Sequence, residues 1–107
     1  MRKAAVYRNG IFAGILMEEN RKRYIFKYEK IYFDDIKMPA ISLTLPKNKQ
    51  EYTSEVLFPF FFNMLSEGVN RKLQSTQLRI DEDDSFGLLM ATAQSDTIGA
   101  VTVKPIV

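Results

Sequence analysis

Residues 56–65 read Val-Leu-Phe-Pro-Phe-Phe-Phe-Asn-Met-Leu, the densest apolar run in the chain, with four phenylalanines and only Pro59 and Asn63 interrupting it. A membrane-spanning helix needs about 20 such residues, so the run belongs inside a folded protein or against a partner. Pro59 suits the first turn of a helix, where its missing N–H falls among donors that have no partner anyway. Gly68 suits the end of one. The expectation is a helix of about ten residues. Phe60, Phe61, Phe62, Met64 and Leu65 would then point in several directions, whereas a surface helix shows one apolar stripe and one polar face. Something must cover the second face: a sheet on one side and another helix on the other, or another protein.

At 107 residues the chain can bury about 65% of its unfolded surface, enough for one core without metal or disulfide staples. A single domain over 1–107 is expected. With no cysteine, disulfides, thiolate zinc sites and cysteine nucleophiles are excluded. With no histidine, the commonest general base and metal ligand is missing too, leaving carboxylates, lysine and tyrosine for any chemistry. No cofactor or metal is expected. Basic Met1-Arg2-Lys3 is followed by Ala4-Ala5-Val6-Tyr7 and at once by Arg8-Asn9-Gly10, so no signal-peptide core forms and a cytoplasmic location is expected. Residues 1–50 carry eleven Lys/Arg against five Asp/Glu, and residues 51–107 carry four against eight. Such asymmetry can mark a nucleic-acid face, but no stacking motif or finger spacing accompanies it. Lysine and arginine that keep strand edges soluble explain it as well, and no direct nucleic-acid contact is expected.

Strands come first and helices later. Residues 4–8 lead into Asn9-Gly10, the strongest two-residue hairpin signal, and 11–17 return antiparallel. Gly14 suggests a bulge or a close approach of backbone. In residues 23–28, Tyr24, Phe26 and Tyr28 alternate with Ile25, a third strand. Residues 31–33 continue it or form a short helical turn. Residues 40–45 alternate Ile41, Leu43 and Leu45 against Ser42 and Thr44, a half-buried strand ended by Pro46, and 47–52 read as loop. After the Phe-rich helix, a second helix over 69–78 would turn Val69, Leu73 and Leu78 inward. Asp83 or Asp84 would cap a third over 85–93, with Phe86, Leu89, Met90 and Ala93 at helical spacing. Residues 98–103 return as a strand ended by Pro105. The expected architecture is α+β: an antiparallel sheet from the N-terminal half plus a C-terminal strand, packed with about three helices. Phe26, Phe62 and Phe86 are the expected core aromatics.

Chemical motifs are few. Asn9-Gly10 with Gly14 lacks the strand–loop–helix context and the Lys-Ser/Thr of a phosphate loop and reads as a hairpin turn. Asp81-Glu82-Asp83-Asp84 lacks the glycine and spaced ligands of a calcium loop, while acidic residues at a helix N-terminus favour its dipole, so capping is the better reading. Glu67 and Arg71 are either an ion pair or a contact to a partner. No nucleophile, base and oxyanion hole assemble, and no catalytic activity is expected.

Six segments, in order, resemble the N-terminal subdomain of the HipA toxin kinases, including its stand-alone HipS-like form. They are Val6-Tyr7-Arg8-Asn9-Gly10 with Gly14-Ile15-Leu16; Tyr24-Ile25-Phe26-Lys27-Tyr28; Ile41-Ser42-Leu43-Thr44-Leu45-Pro46; Phe60-Phe61-Phe62-Asn63-Met64-Leu65-Ser66-Glu67-Gly68 with Arg71; Asp84-Ser85-Phe86-Gly87-Leu88-Leu89; and Asp96-Thr97-Ile98-Gly99-Ala100-Val101. No segment is specific alone; together they cover nearly the whole chain. The family usually reads Leu-Pro-Glu-Gly-Trp over 65–69, where this chain has Ser66 and Val69, and it commonly has glycine at the place of Gln94.

The resemblance implies a non-catalytic small subunit of a split kinase. Full-length family members follow this module with a bilobed serine/threonine kinase body, and here no Asp-Phe-Gly, catalytic loop or nucleotide loop appears. The implied partners are a HipA/HipT-like kinase polypeptide, which the subunit binds and restrains, and a helix-turn-helix DNA-binding protein in the same three-component toxin–antitoxin system, with no membrane involved. Two alternatives stand beside it: a subunit that completes the kinase and supports its activity, or a self-associating domain without a kinase. The expected partner-binding residues are Phe60, Phe61, Leu65, Glu67, Val69 and Arg71. Because Val69 stands where the family has tryptophan, the anchor is expected to be weaker or moved toward Phe60 or Phe61.

Overall fold

The structure is a computed structural model describing residues 1–65, 68–93 and 100–106. Strands β1 (Arg2–Arg8), β2 (Ile11–Asn20) and β3 (Arg23–Tyr28) form a meander, followed by helix α1 (Lys30–Asp34) and strand β4 (Glu51–Ser54). Helices α2 (Pro59–Phe62), α3 (Gly68–Leu78) and α4 (Ser85–Thr92) come next, and β5 (Val101–Ile106) closes the order. The sheet runs β4-β3-β2-β1-β5, antiparallel throughout. The expected α+β architecture, with its returning C-terminal strand, is what the chain adopts.

Local chemistry accounts for the meander. Asn9 and Gly10 take φ of 51° and 78°, the positive pair that a tight two-residue hairpin requires, and Arg8 pairs with Ile11 across it. Gly14 satisfies both readings made of it. Val6 pairs with Gly14 but Tyr7 with Phe12, so Ala13 is the extra residue of a bulge, and its carbonyl accepts the Glu29 N–H at 2.8 Å. A Cβ on Gly14 would lie 2.5 Å from the Lys27 carbonyl oxygen and 3.0 Å from the Phe26 ring. The Glu29 side chain then caps α1, accepting from the Tyr32 N–H at 3.2 Å.

The core lies on the sheet face that carries Val6, Leu16, Tyr24, Phe26, Tyr28 and Val103, all buried, and it is closed by Phe61, Phe86, Leu88 and Leu89 from the helices. Phe26 stands at its centre, 4.8 Å from the Tyr28 ring and 5.8 Å from that of Phe61. Asp84 caps α4 as expected, accepting from the Gly87 N–H at 3.1 Å. Leu88, absent from the helical spacing read in the sequence, is buried with Phe86 and Leu89. The Val103 N–H reaches the Ala93 carbonyl at 2.9 Å and ties the end of α4 to β5.

Several expectations are corrected. Residues 40–45 are a turn-rich loop rather than a strand: Ile41 and Leu45 are buried, but Leu43 between them is 99% exposed. The hydroxyl of Tyr28 explains why no ladder is needed, since it accepts the Ile41 N–H and donates to the Leu45 carbonyl. Burial pushes the pKa of that phenol up to about 12, which keeps it a donor. The strand forms instead across the end of the expected 47–52 loop and just beyond it, where β4 (Glu51–Ser54) pairs with the free edge of β3. The Phe-rich helix is a single turn, and Gly68 opens α3 instead of ending α2. Phe62 is 46% exposed, whereas Phe26 and Phe86 are fully buried. Leu73 and Leu78 of α3 face solvent; Val69, the third residue expected inward, has its side chain outside the described residues. Pro105 does not end the last strand but pairs with Ala4 inside it, tolerated because β5 is an edge and the missing N–H leaves no gap in a ladder. Residues 98 and 99 lie outside the described residues.

Candidate functional site

Helix α2 fans its phenylalanines apart. Successive helical residues are rotated by about 100°, so one turn cannot send three consecutive rings to one place. Phe61 enters the core, fully buried, with the Phe60 ring 5.2 Å and the Phe58 ring 6.4 Å away. Phe60 and Phe62 go to opposite flanks and line two separate grooves.

The Phe62 groove has a volume of about 390 Å³ and takes Tyr24 from β3, Val56 and Leu57 from the β4–α2 connection, and Pro59 and Asn63 from either end of α2. Val56 is largely exposed there. Arg71, on the first turn of α3, lays its guanidinium 5.3 Å over the Phe62 ring. Its Nε and one Nη donate to the Glu82 carbonyl at 3.1 and 2.8 Å, and that Nη also donates to the Ser85 Oγ at 2.9 Å. Arg71 thus binds α3 to the start of α4 while offering one face of a cation–aromatic pair to solvent.

Beside this groove lies a clasp. Arg2 donates to Glu18 Oε1 through Nε and Nη2 at 2.9 and 2.6 Å, and to Asp84 through Nη1 and Nη2 at 2.9 and 2.7 Å. Tyr24 donates to the other Glu18 oxygen at 3.1 Å, and the guanidinium lies 5.2 Å from the Phe86 ring centroid. The bond from Arg2, helped by the Gly87 N–H, holds the Asp84 carboxyl below its ordinary pKa. Burial, followed by the bond to Glu18, raises that of Tyr24. The acidic run is therefore a cap and an anchor, with Asp81 accepting from the Asp83 N–H at 2.9 Å. Among the described residues, no three His, Cys, Asp or Glu side chains come together as metal ligands, and no helix is long and apolar enough to cross a membrane.

Of the residues expected to meet a partner, Phe61 and Leu65 are buried in the core and have no surface to offer. Phe60 is partly buried against it. Arg71 is at the surface, tied as described. Glu67 and the side chain of Val69 lie outside the described residues. The large apolar side chains exposed in the groove are Phe62, which the sequence reading places in the core, and Val56, to which it gives no role; the signal for Phe62 was the rotation of about 100° between neighbours, which forbids Phe61 and Phe62 from sharing the core.

A five-stranded antiparallel sheet, closed on one face by short helices and flanked at α2 by two grooves, defines a small α+β module. The chain belongs to the HipA N-terminal domain family, whose model matches residues 4–104. It is 30% identical over 104 residues to an uncharacterized protein of Haemophilus influenzae, covering 97% of this chain and 92% of that one. It is 35% identical over 89 residues to the Sinorhizobium fredii protein described as "Putative kinase Y4dM", covering 78% of this chain but 22% of the relative. Among solved structures, the N-terminal domain of HipA toxin superposes with a TM-score of 0.74 at 26% identity, covering 100% of this chain and 94% of that one.

Proposed function

We propose that this chain is a non-catalytic domain, single over 1–107, that docks on a HipA-type serine/threonine kinase polypeptide in the cytoplasm and restrains it within a toxin–antitoxin system, beside a helix-turn-helix DNA-binding component. Family membership supports the kinase connection. In the Sinorhizobium relative the matched region is 22% of a protein described as a kinase, while the Haemophilus relative is matched over 92% of its length. The reading therefore accommodates the domain both fused to a larger chain and nearly alone.

The observation that carries the proposal is Phe62, 46% exposed with the Arg71 guanidinium stacked on it, beside exposed Val56 and the groove they border. Interfaces centre on a few aromatic, apolar or arginine anchors within about 800 Å² per partner. With valine at position 69, Phe62 and Val56 take the anchoring role, and Arg71 orients it. The test is calorimetric titration of a HipA-type kinase polypeptide from the same organism, lacking such a domain of its own, with phosphorylation assayed in parallel. Wild-type chain should bind and lower autophosphorylation; a rise would favour the completing subunit instead. Phe62→Ser and Arg71→Glu, each checked for folding by circular dichroism, should weaken binding about tenfold or more. Wild-type affinity in both would place the contact elsewhere.

A further inference from the structure

We infer that the groove on the Phe60 side of α2 is a second docking site, which takes a partner segment carrying a carboxylate next to an apolar side chain. The inference rests on the reading that this chain docks on a kinase polypeptide, and it names a separate contact in that complex. The groove, about 500 Å³, gathers Arg8 from the end of β1, Ile41, Leu43 and Pro46 from the loop after α1, Phe60 from α2 and Val101 from β5. These positions fall in four of the segments singled out in the sequence.

Two observations define the occupant. Leu43 is 99% exposed, yet its backbone is anchored on both sides. The Leu45 N–H bonds the Ser42 carbonyl at 3.2 Å, the Thr44 N–H bonds Ser42 Oγ at 3.2 Å, and the two hydroxyls of Ser42 and Thr44 lie 2.9 Å apart. The buried Tyr28 hydroxyl holds Ile41 and Leu45. A leucine displayed on a turn already ordered costs little to immobilise on binding. Arg8 is the second observation. It is half-buried, and among the described residues nothing accepts a hydrogen bond from its guanidinium and no carboxylate lines the groove. Its charge reaches Tyr32, where it opposes the upward push of burial on that phenol. The other half-buried arginines, Arg2 and Arg71, have acceptors, whereas Arg21 and Arg79 are exposed to water. A partly desolvated guanidinium is best satisfied by a carboxylate, which matches its planar fork with two charge-assisted bonds. The cation and the apolar knob in one groove therefore call for an acidic residue beside an apolar one.

The experiment titrates the same kinase polypeptide into wild-type chain, Arg8→Gln and Leu43→Ser at low and high salt, with light scattering of each protein alone. Because Leu43 is at the surface, its replacement leaves the core untouched. Each variant should bind about tenfold more weakly or worse, and Arg8→Gln should also flatten the salt dependence. If wild type binds and both variants match it, this inference fails while the docking reading stands. If wild type does not bind, the reading and this contact fail together. A concentration-dependent dimer that Leu43→Ser abolishes would make the occupant a second copy of the chain and would also overturn the proposal.

Discussion

Arg2 bridges two carboxylates that lie 16 and 82 positions away in the chain, and so fastens the first strand to the start of the last helix. Asp84 serves this bridge and the α4 cap with the same carboxylate. Asp84→Ala should therefore fall at the upper end of what losing an ordinary cap costs, about 0.5–2 kcal/mol; we expect about 2 kcal/mol, measured by urea unfolding. The acid limb carries the same signature. Since the folded-state pKa of Asp84 lies below its ordinary value, the unfolded chain binds the proton more readily. The stability from this group is then complete above the unfolded carboxylate pKa of about 3.9 and is lost as pH falls through the lower folded value. Asp84→Asn should be less stable at neutral pH and should lose less than wild type between about pH 4 and pH 2. Equal pH slopes for the two proteins would show that Asp84 is not the linked group.

At the scale of elements, two positions of unusual backbone make opposite predictions. Gly14 sits where β2 passes close under β3, and a methyl group there meets backbone, the Lys27 carbonyl, as well as the Phe26 ring. Gly14→Ala should destabilise by about 1–3 kcal/mol through overpacking, even though alanine removes freedom from the unfolded chain. Thermal unfolding at wild-type temperature would show that the strands can part to accept it. Arg79 ends α3 in the left-handed region with φ of 56°, while the Ile80 N–H folds back to the Ser75 carbonyl at 3.1 Å. That terminus is one that glycine fills without steric cost. Arg79→Gly should stabilise the chain by about 0.5–1 kcal/mol, the relief of the Cβ clash less the entropy glycine adds to the unfolded state. A lower denaturation midpoint would mean that the arginine side chain contributes more than its backbone costs.

For the whole molecule, the buried cluster draws on the four strands β1, β2, β3 and β5 and on α1, α2 and α4, with Tyr52 of β4 packed against it. Phe26 touches Tyr28 within the sheet and Phe61 across the layers. Phe26→Ala should cost about 3–5 kcal/mol, and unfolding should remain one transition, seen alike by circular dichroism and tyrosine fluorescence. Two separated transitions would argue against a single domain, and an unchanged melting temperature would remove Phe26 from the centre of the core.

What could be read from the amino-acid order was what neighbours in sequence decide. Asn9-Gly10 announced its turn, Tyr24, Phe26 and Tyr28 their shared face, Gly14 its close approach, and Asp84 its cap, because each signal is stated within a few residues by backbone sterics or a side chain's reach. The family, too, was visible in the order and spacing of six short segments. The rest waited on distant partners. Residues 40–45 alternate like a strand, yet a hydroxyl 13 and 17 positions upstream satisfies their backbone and turns Leu43 outward. The polar 51–54 stretch became a strand only because β3 offered an open edge. Phe60, Phe61 and Phe62, identical in chemistry, went to a groove, the core and a second groove. Hydrophobicity says that such residues seek cover, but which of them finds it depends on where sheet, loop and helices meet.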